Sequence, residues 1–196
     1  LSPAGLKTIP NKPGQRFPFD RYPVSTSDIL AHLLFEHQVG FVNRVISATY
    51  RTRAVLAGAV SSVGVSDTPT FLNREANSLV RYLLFADEAK FPAAGVDGAP
   101  LLLKDFSKNR RQNKMGFSLK DLDLSTRLFR FRCSYMIYSD SFAGLPLELK
   151  TRVFHQLEQA LSIETDSTDF AYLPISEKRT IRSILRETLS GLPKDW

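Results

Sequence analysis

His37 is the residue whose type and placement could most readily do chemistry. Apolar residues recur at helical spacing from Ile29 onward, which predicts a first helix from residue 27 to the upper 50s, capped by Ser25. The residues that share one face with His37 are Leu30, Leu34, Phe41, Val45 and Ala48. An imidazole on a buried face needs a polar partner, since an unsatisfied one costs about 1–3 kcal/mol. We expect a carboxylate or a backbone carbonyl to satisfy it. The alternative is a ligand to haem iron or another metal, or a proton-transfer group.

Two adjacent carboxylates, Asp87 and Glu88, stand at the end of the second predicted helix, from about Thr70 to Ala89. Asp87 continues the apolar stripe of that helix into its last turn, where a negative charge opposes the helix dipole. A carboxylate in such a place is expected to have a partner, and His37 or an arginine of the first helix is the natural one. We therefore predict a buried polar cluster of His37, Asp87 and Glu88. Adjacent residues point in different directions on a helix, so the two carboxylates do not suit joint acid–base catalysis.

Basic residues outnumber acidic ones. The chain has 26 Lys and Arg against 20 Asp and Glu, a formal net charge of +6, which favours anionic partners. Many lie within residues 90–121, whose glycines and prolines predict an irregular loop. The candidates for partner binding are Lys108, Arg110, Arg111 and Lys114. We expect them to dock an acidic protein or a larger assembly. Nucleic acid is the less favoured partner, because aromatic residues interleave with the basic ones but no nucleic-acid-binding motif is present.

The sequence argues against several chemistries. Cys133 is the only cysteine, which excludes an internal disulfide, a C-x-x-C redox pair, a zinc site built from cysteines and a C-x-x-C-H haem attachment within the chain. The three histidines are scattered, and neither a phosphate-binding glycine loop nor a G-x-S-x-G elbow occurs. We therefore predict no catalytic residues and no metal site. No run approaches about 18 apolar residues, so no membrane span is expected.

The elements that must position these residues form an all-α pattern. Residues 1–24 contain five prolines and no periodicity, which predicts an extended arm before a single domain over residues 25–196. Two further helices are predicted over 146–162 and 176–189. Residues 125–142 match both the alternation of a strand and the spacing of a helix. Their helical neighbours favour a helix, which gives about five helices in all.

Five stretches of the chain resemble one family. They read LFEHQ at 34–38, YLLFADEA at 82–89, STRLF at 125–129, CSYMIYS at 133–139 and GLPKDW at 191–196. Together they resemble an uncharacterised family of exported bacterial proteins of the acidobacteria type, over about residues 24–90 and 117–196. Members of that family often carry a C-x-x-C-H segment for c-type haem upstream of this part. The resemblance implies a periplasmic or otherwise exported protein with a link to c-type haem.

The same resemblance implies a role as a periplasmic accessory domain, associated with electron transfer in a c-type cytochrome-like protein and without hydrolytic activity. His37 is the position that it carries over, as an axial ligand or a neighbour of the haem. This chain departs from the family by lacking the attachment motif, so any haem c would come from an upstream segment or a partner. Since the chain opens at Leu1 without an initiator Met, we expect it to be processed or cut from a longer protein. The alternative is a cofactor-free interaction subunit that grips an acidic partner through its arm and basic loop, and nucleic-acid binding is the third.

Overall fold

Helices build the part of the chain that the structure describes. The computed structural model describes residues 28–59, 67–163, 168–193 and 196, so the predicted arm over residues 1–24 lies outside the described residues. Its α-helices are α1 (Ile29–Leu56), α2 (Thr68–Leu83), α3 (Pro100–Ser107), α4 (Asp140–Ala143), α5 (Leu147–Leu161) and α6 (Ile175–Thr188), and its short 3-10 helices are Tyr135–Tyr138 and Thr168–Phe170. No strand occurs among these residues, and the helices pack into one domain. The predicted all-α fold is confirmed, and five of these six α-helices have seven residues or more.

The long helices α1, α5 and α6 follow their predicted bounds closely. The start of α1 is capped by Asp28, whose carboxylate accepts a hydrogen bond from the Leu30 amide at 2.8 Å, and the predicted cap Ser25 lies outside the described residues. The predicted apolar face is buried and includes Leu30, Leu34, His37, Phe41, Val45 and Ala48. Helices α5 and α6 agree with the predicted ranges 146–162 and 176–189 to within one residue at each end.

Helix α2 ends well before the predicted Ala89. Phe85 has a φ of 57°, and its amide bonds back to the Tyr82 carbonyl at 3.2 Å. The Ala86 amide reaches the Arg81 carbonyl at 2.9 Å, which completes the Schellman ending of a helix. Glycine usually occupies the left-handed position of that motif. With phenylalanine there, no residue signals that the helix stops, and the apolar spacing predicted a further turn that does not form.

Two predicted segments between α2 and α5 need correction. Residues 90–121 are not irregular throughout, because Pro100 opens a two-turn helix, α3. The helix predicted over 125–142 is wrong. An antiparallel bridge joins Leu122 to Phe129 instead, around a turn in which the Asp123 carboxylate accepts hydrogen bonds from the Ser125 and Thr126 amides at 3.1 and 3.3 Å.

The strand-like alternation of apolar residues, which was the alternative for residues 125–142, describes the middle of that segment. Phe129, Phe131 and Cys133 are buried, while Arg130 between them is exposed. This is the period of an extended chain. Helical structure resumes only with the 3-10 helix at Tyr135, because the hairpin-like bridge already uses the Arg127 and Leu128 carbonyls and the Arg130 amide, which a helix would need.

At Gly40 a side chain of α2 lies close against the backbone of α1. A Cβ at this position would clash with the Tyr82 hydroxyl, which donates a hydrogen bond to the His37 carbonyl at 3.0 Å. Glycine inside a helix costs about 1 kcal/mol relative to alanine, so its presence indicates that a neighbour needs the room. That neighbour is the Tyr82 ring, which stacks on the His37 imidazole with ring centroids 5.6 Å apart.

We predict that Gly40→Ala lowers the free energy of unfolding by about 1–3 kcal/mol, because the Tyr82 hydroxyl must move. In a Tyr82→Phe background the same substitution should be close to neutral, since the clashing oxygen is gone and alanine favours the helix. Urea denaturation of the four proteins measures both effects. Equal destabilisation in the two backgrounds would show that Tyr82 does not require the glycine.

Candidate binding site at His37

His37 is buried, and its polar partner is a hydroxyl. The residue is 7% exposed, and its Nε2 lies 2.7 Å from Oγ of Ser134. Ser134 is fully buried and also accepts a hydrogen bond from the Met136 amide at 3.1 Å. The predicted hydrogen bond therefore exists, but the carboxylate or carbonyl expected to form it is replaced by a serine.

The sequence held no signal for Ser134. It lies 97 positions away from His37, in the segment predicted to be helical, and between two buried residues whose alternation would point it outward. Its placement depends on the chain turning into the 3-10 helix, where the Ser134 amide donates to the Leu83 carbonyl at 2.7 Å and its side chain caps the new turn. That turn is a tertiary feature rather than a local one.

Four aromatic rings surround the imidazole, and we call them the aromatic box: Tyr82, Phe85, Phe129 and Tyr135. Phe85 is the nearest, with ring centroids 4.9 Å apart and planes within 17° of parallel. Burial among these rings lowers the pKa of His37 to about 4, because a charged imidazole would lose its hydration. At neutral pH the ring is therefore uncharged, which removes it as a cation and as a proton-transfer group near pH 7.

The predicted buried cluster of His37, Asp87 and Glu88 is not formed as such. Asp87 is exposed, with 77% of its side chain accessible, and it pairs with Arg81 at 2.7 Å. Neither carboxylate bonds to His37 among the described residues. The reason is the early end of α2: the apolar stripe stops at Leu83, so residues beyond it do not keep their helical direction.

Glu88 is the half-buried carboxylate of this region. Burial raises its pKa, and this effect is partly offset by a hydrogen bond from the Leu128 amide at 3.3 Å and by the nearby Arg127 and Arg132. A carboxyl group of this kind binds a proton more readily than one in water. It lies beside the aromatic box rather than within it.

His37, Asp87 and Glu88 do meet in one place, as lining residues of an open cleft of about 530 Å³. The walls are mainly apolar and include Leu33, Tyr82, Phe85, Ala86, Phe91 and Leu128. The volume lies in the range of small-molecule sites, and an apolar cavity with a few polar groups at its edge is typical of them. The cleft is the feature that brings the predicted site residues together.

Three cations stand at the edge of this cleft: Arg44, Arg81 and Lys90. Arg81 is neutralised by Asp87. Arg44 lies over the Tyr82 ring at 4.2 Å and donates to the Gly40 carbonyl at 3.1 Å. Lys90 is exposed, and neither it nor Arg44 forms an ion pair within the described residues. Their charges are available to an anionic group of a ligand.

The hydrogen-bonded pair of Ser134 and His37 does not form a nucleophile. Ser134 is 0% exposed, so no substrate could reach its hydroxyl. Cys133 beside it is buried as well, and burial raises the pKa of its thiol, which keeps it protonated and unreactive. Both residues are structural: Ser134 bonds His37 and caps the 3-10 helix, and Cys133 packs in the core.

The predicted partner-binding residues Lys108, Arg110, Arg111 and Lys114 are all exposed. Arg110 pairs with Asp121 at 3.2 Å. Arg111 donates to the Thr188 carbonyl at 3.3 Å and lies over the Tyr138 ring. The side chains of Lys108 and Lys114 have no such partner within the described residues. The basic segment is thus held against the body of the domain while two of its cations face solvent.

Axial ligation of haem iron by His37 does not fit this geometry. Its Nε2 is held by Ser134, and its ring faces are occupied by the aromatic box. His37 is the one imidazole among the residues that line the cleft. Across the described ranges, no group of three or more metal-ligating side chains occurs. None of the helices there is both long and apolar enough to cross a membrane.

A comparison of the chain with protein-family models, with curated proteins and with solved structures found no match.

The lowered pKa of His37 makes stability depend on pH. Between the folded pKa of about 4 and the ordinary pKa of 6.5, the unfolded chain binds the extra proton, so the free energy of unfolding falls as the pH falls through that window. The total loss is about 3 kcal/mol. His37→Gln keeps a side chain that can hydrogen-bond and should remove this slope. Urea denaturation between pH 4 and pH 7 measures it.

Glu88→Gln is the matched control. Because burial raises the pKa of Glu88, its contribution is present at low pH and is lost as the pH rises, which is opposite in sign to that of His37. The Glu88→Gln variant should therefore show a steeper slope than the parent protein. A slope that persists unchanged in His37→Gln would contradict the assignment.

Proposed function

We propose that this chain is a non-catalytic binding domain, and that its ligand is a planar, apolar molecule carrying an anionic group. The observation that carries the proposal is the cleft itself: an opening of about 530 Å³ with aromatic walls and cations at its edge. Flat rings stack on Tyr82, Phe85 and Phe91. Arg44 and Lys90 supply the charge that an anionic group would meet.

The periplasmic accessory role implied by the family resemblance is part of this proposal. A porphyrin with its carboxylates belongs to the ligand class, and a haem c from an upstream segment or a partner is one source of it. His37 acts there as a neutral structural support for the walls, since its Nε2 is already bonded to Ser134. A haem-free aromatic carboxylate is the other candidate ligand of this class.

Binding of hemin and of metal-free protoporphyrin, measured by absorbance titration, tests the proposal and separates its sources. We expect saturable binding of both, with similar affinity, because the cleft recognises the ring and its carboxylates. Lys90→Glu should weaken binding by roughly three- to tenfold. Lys104→Glu makes the same charge change on an exposed residue that does not line the cleft, and should have no effect.

Absence of saturable binding by either porphyrin, or equal loss in the two lysine variants, would contradict the proposal. A hemin spectrum that changes in His37→Ala would show that the imidazole ligates iron, against the geometry described above. Tight binding of metal-free porphyrin with no binding of hemin would favour a haem-free aromatic carboxylate as the ligand.

A second candidate function is docking of an acidic protein through the basic segment. It is supported by the exposed Lys108 and Lys114 on a segment anchored by Arg110 and Arg111. Such docking should weaken between about 50 and 200 mM salt, because exposed charges are screened.

We predict that Lys108→Glu/Lys114→Glu abolishes retention of the chain on immobilised polyglutamate, as measured by elution salt concentration. The control, Lys90→Glu/Arg179→Glu, changes the net charge equally at exposed sites elsewhere and should elute near the parent protein. Equal loss in both double variants would mean that net charge, not this segment, drives the binding. Preferential retention on single-stranded oligonucleotide would favour the nucleic-acid alternative.

A further inference from the structure

Helix α1 carries a second apolar stripe, on a face that the described domain leaves largely exposed. The exposed residues of this stripe include Phe35 at 60%, Ile46 at 46% and Tyr50 at 70%, together with Val39. Val42, between them, is only partly buried. A long helix that buries one apolar face needs no second one for its own folding. The exposed stripe therefore indicates an interaction surface.

The stripe is continuous along the helix. At about 100° per residue, Phe35, Val39, Val42, Ile46 and Tyr50 fall within a sector of about 80°. Their successive spacings are four, three, four and four residues, close to the alternation of four and three in a seam between two packed helices. From Phe35 to Arg53 the seam is about 27 Å long.

Charges flank the two ends of this seam. Glu36 stands near its start and Arg53 near its end, both are exposed, and neither forms an ion pair within the described residues. A parallel pair of α1 helices would set like charges together. An antiparallel pair, with its two-fold axis between Arg44 and Val45, sets Glu36 against Arg53 of the second copy at both ends. The same arrangement places Val39 of one copy opposite Tyr50 of the other.

We propose that this stripe, the α1 seam, is where a second copy of the chain docks, with the two α1 helices antiparallel. A second copy fits this stripe because the charges and apolar residues of the stripe are complementary to themselves, as an isologous two-fold contact requires. Leu33 and His37, which line the cleft, lie about 140° and about 180° around the helix from the centre of the seam. Docking therefore leaves the cleft open and is independent of its ligand. A seam one helix wide lies at the low end of interface sizes, so the dimer exchanges with monomer.

Sedimentation velocity over a wide range of protein concentration tests this proposal on the full chain. We expect a monomer–dimer equilibrium that Ile46→Glu shifts towards monomer by at least about tenfold in dissociation constant, because a charge is placed in the seam. Leu147→Glu is the matched control: Leu147 is an equally apolar residue, 71% exposed on α5, and its substitution should leave the equilibrium unchanged. Circular dichroism checks that both variants fold.

A charge exchange tests the orientation. Glu36→Arg alone should weaken the dimer, since it sets two cations together, and Glu36→Arg/Arg53→Glu should restore it. A monomer at every concentration, an Ile46→Glu variant that dimerises like the parent, or no rescue by the double exchange would overturn the proposal. So would a monomer that floats with phospholipid vesicles through this stripe, because the occupant would then be lipid.

Discussion

A neutral imidazole held between aromatic rings and one buried hydroxyl is the constraint on which the site depends. The bond from His37 to Ser134 joins α1 to a segment 97 positions later, at the point where the chain turns into a 3-10 helix. Because both atoms are buried, losing either partner leaves the other unsatisfied. The same ring supports Tyr82 and Phe85, which are walls of the cleft. The polar bond thus fixes a site whose lining is mostly apolar.

Phe85 shows how the surroundings adapt to this ring. A left-handed conformation costs a non-glycine residue about 1–2 kcal/mol. Phe85 adopts it with a φ of 57° and places its ring against His37. The same conformation ends α2 and turns the following residues across the mouth of the cleft, where Glu88 becomes half-buried. A single strained residue therefore links the end of a helix, the packing of the imidazole and the shape of the cleft.

The fold was largely predictable because apolar residues recur every three or four positions along a long amphipathic helix. The inward face of α1, including His37, followed from residues within that helix alone. The end of α2 was missed because phenylalanine replaced the glycine that normally signals a left-handed ending. The extended course of Phe129 and Phe131 was missed because the apolar residues of that segment fit both the strand and the helix pattern. The antiparallel bridge from Leu122 to Phe129, around the turn at Asp123, decides in favour of the extended chain. Ser134 could not be found at all, since only tertiary packing brings it to His37.

The buried site requires an uncharged His37 at neutral pH. An NMR titration of its imidazole Cε1–H signal, assigned by its disappearance in the His37→Gln variant, measures the protonation of His37 in the folded protein. We expect the signal to stay in its neutral position through pH 6.5 and to titrate only near pH 4, since burial lowers the pKa. A midpoint at the ordinary value of 6.5 would place the ring in water and contradict the buried bond to Ser134.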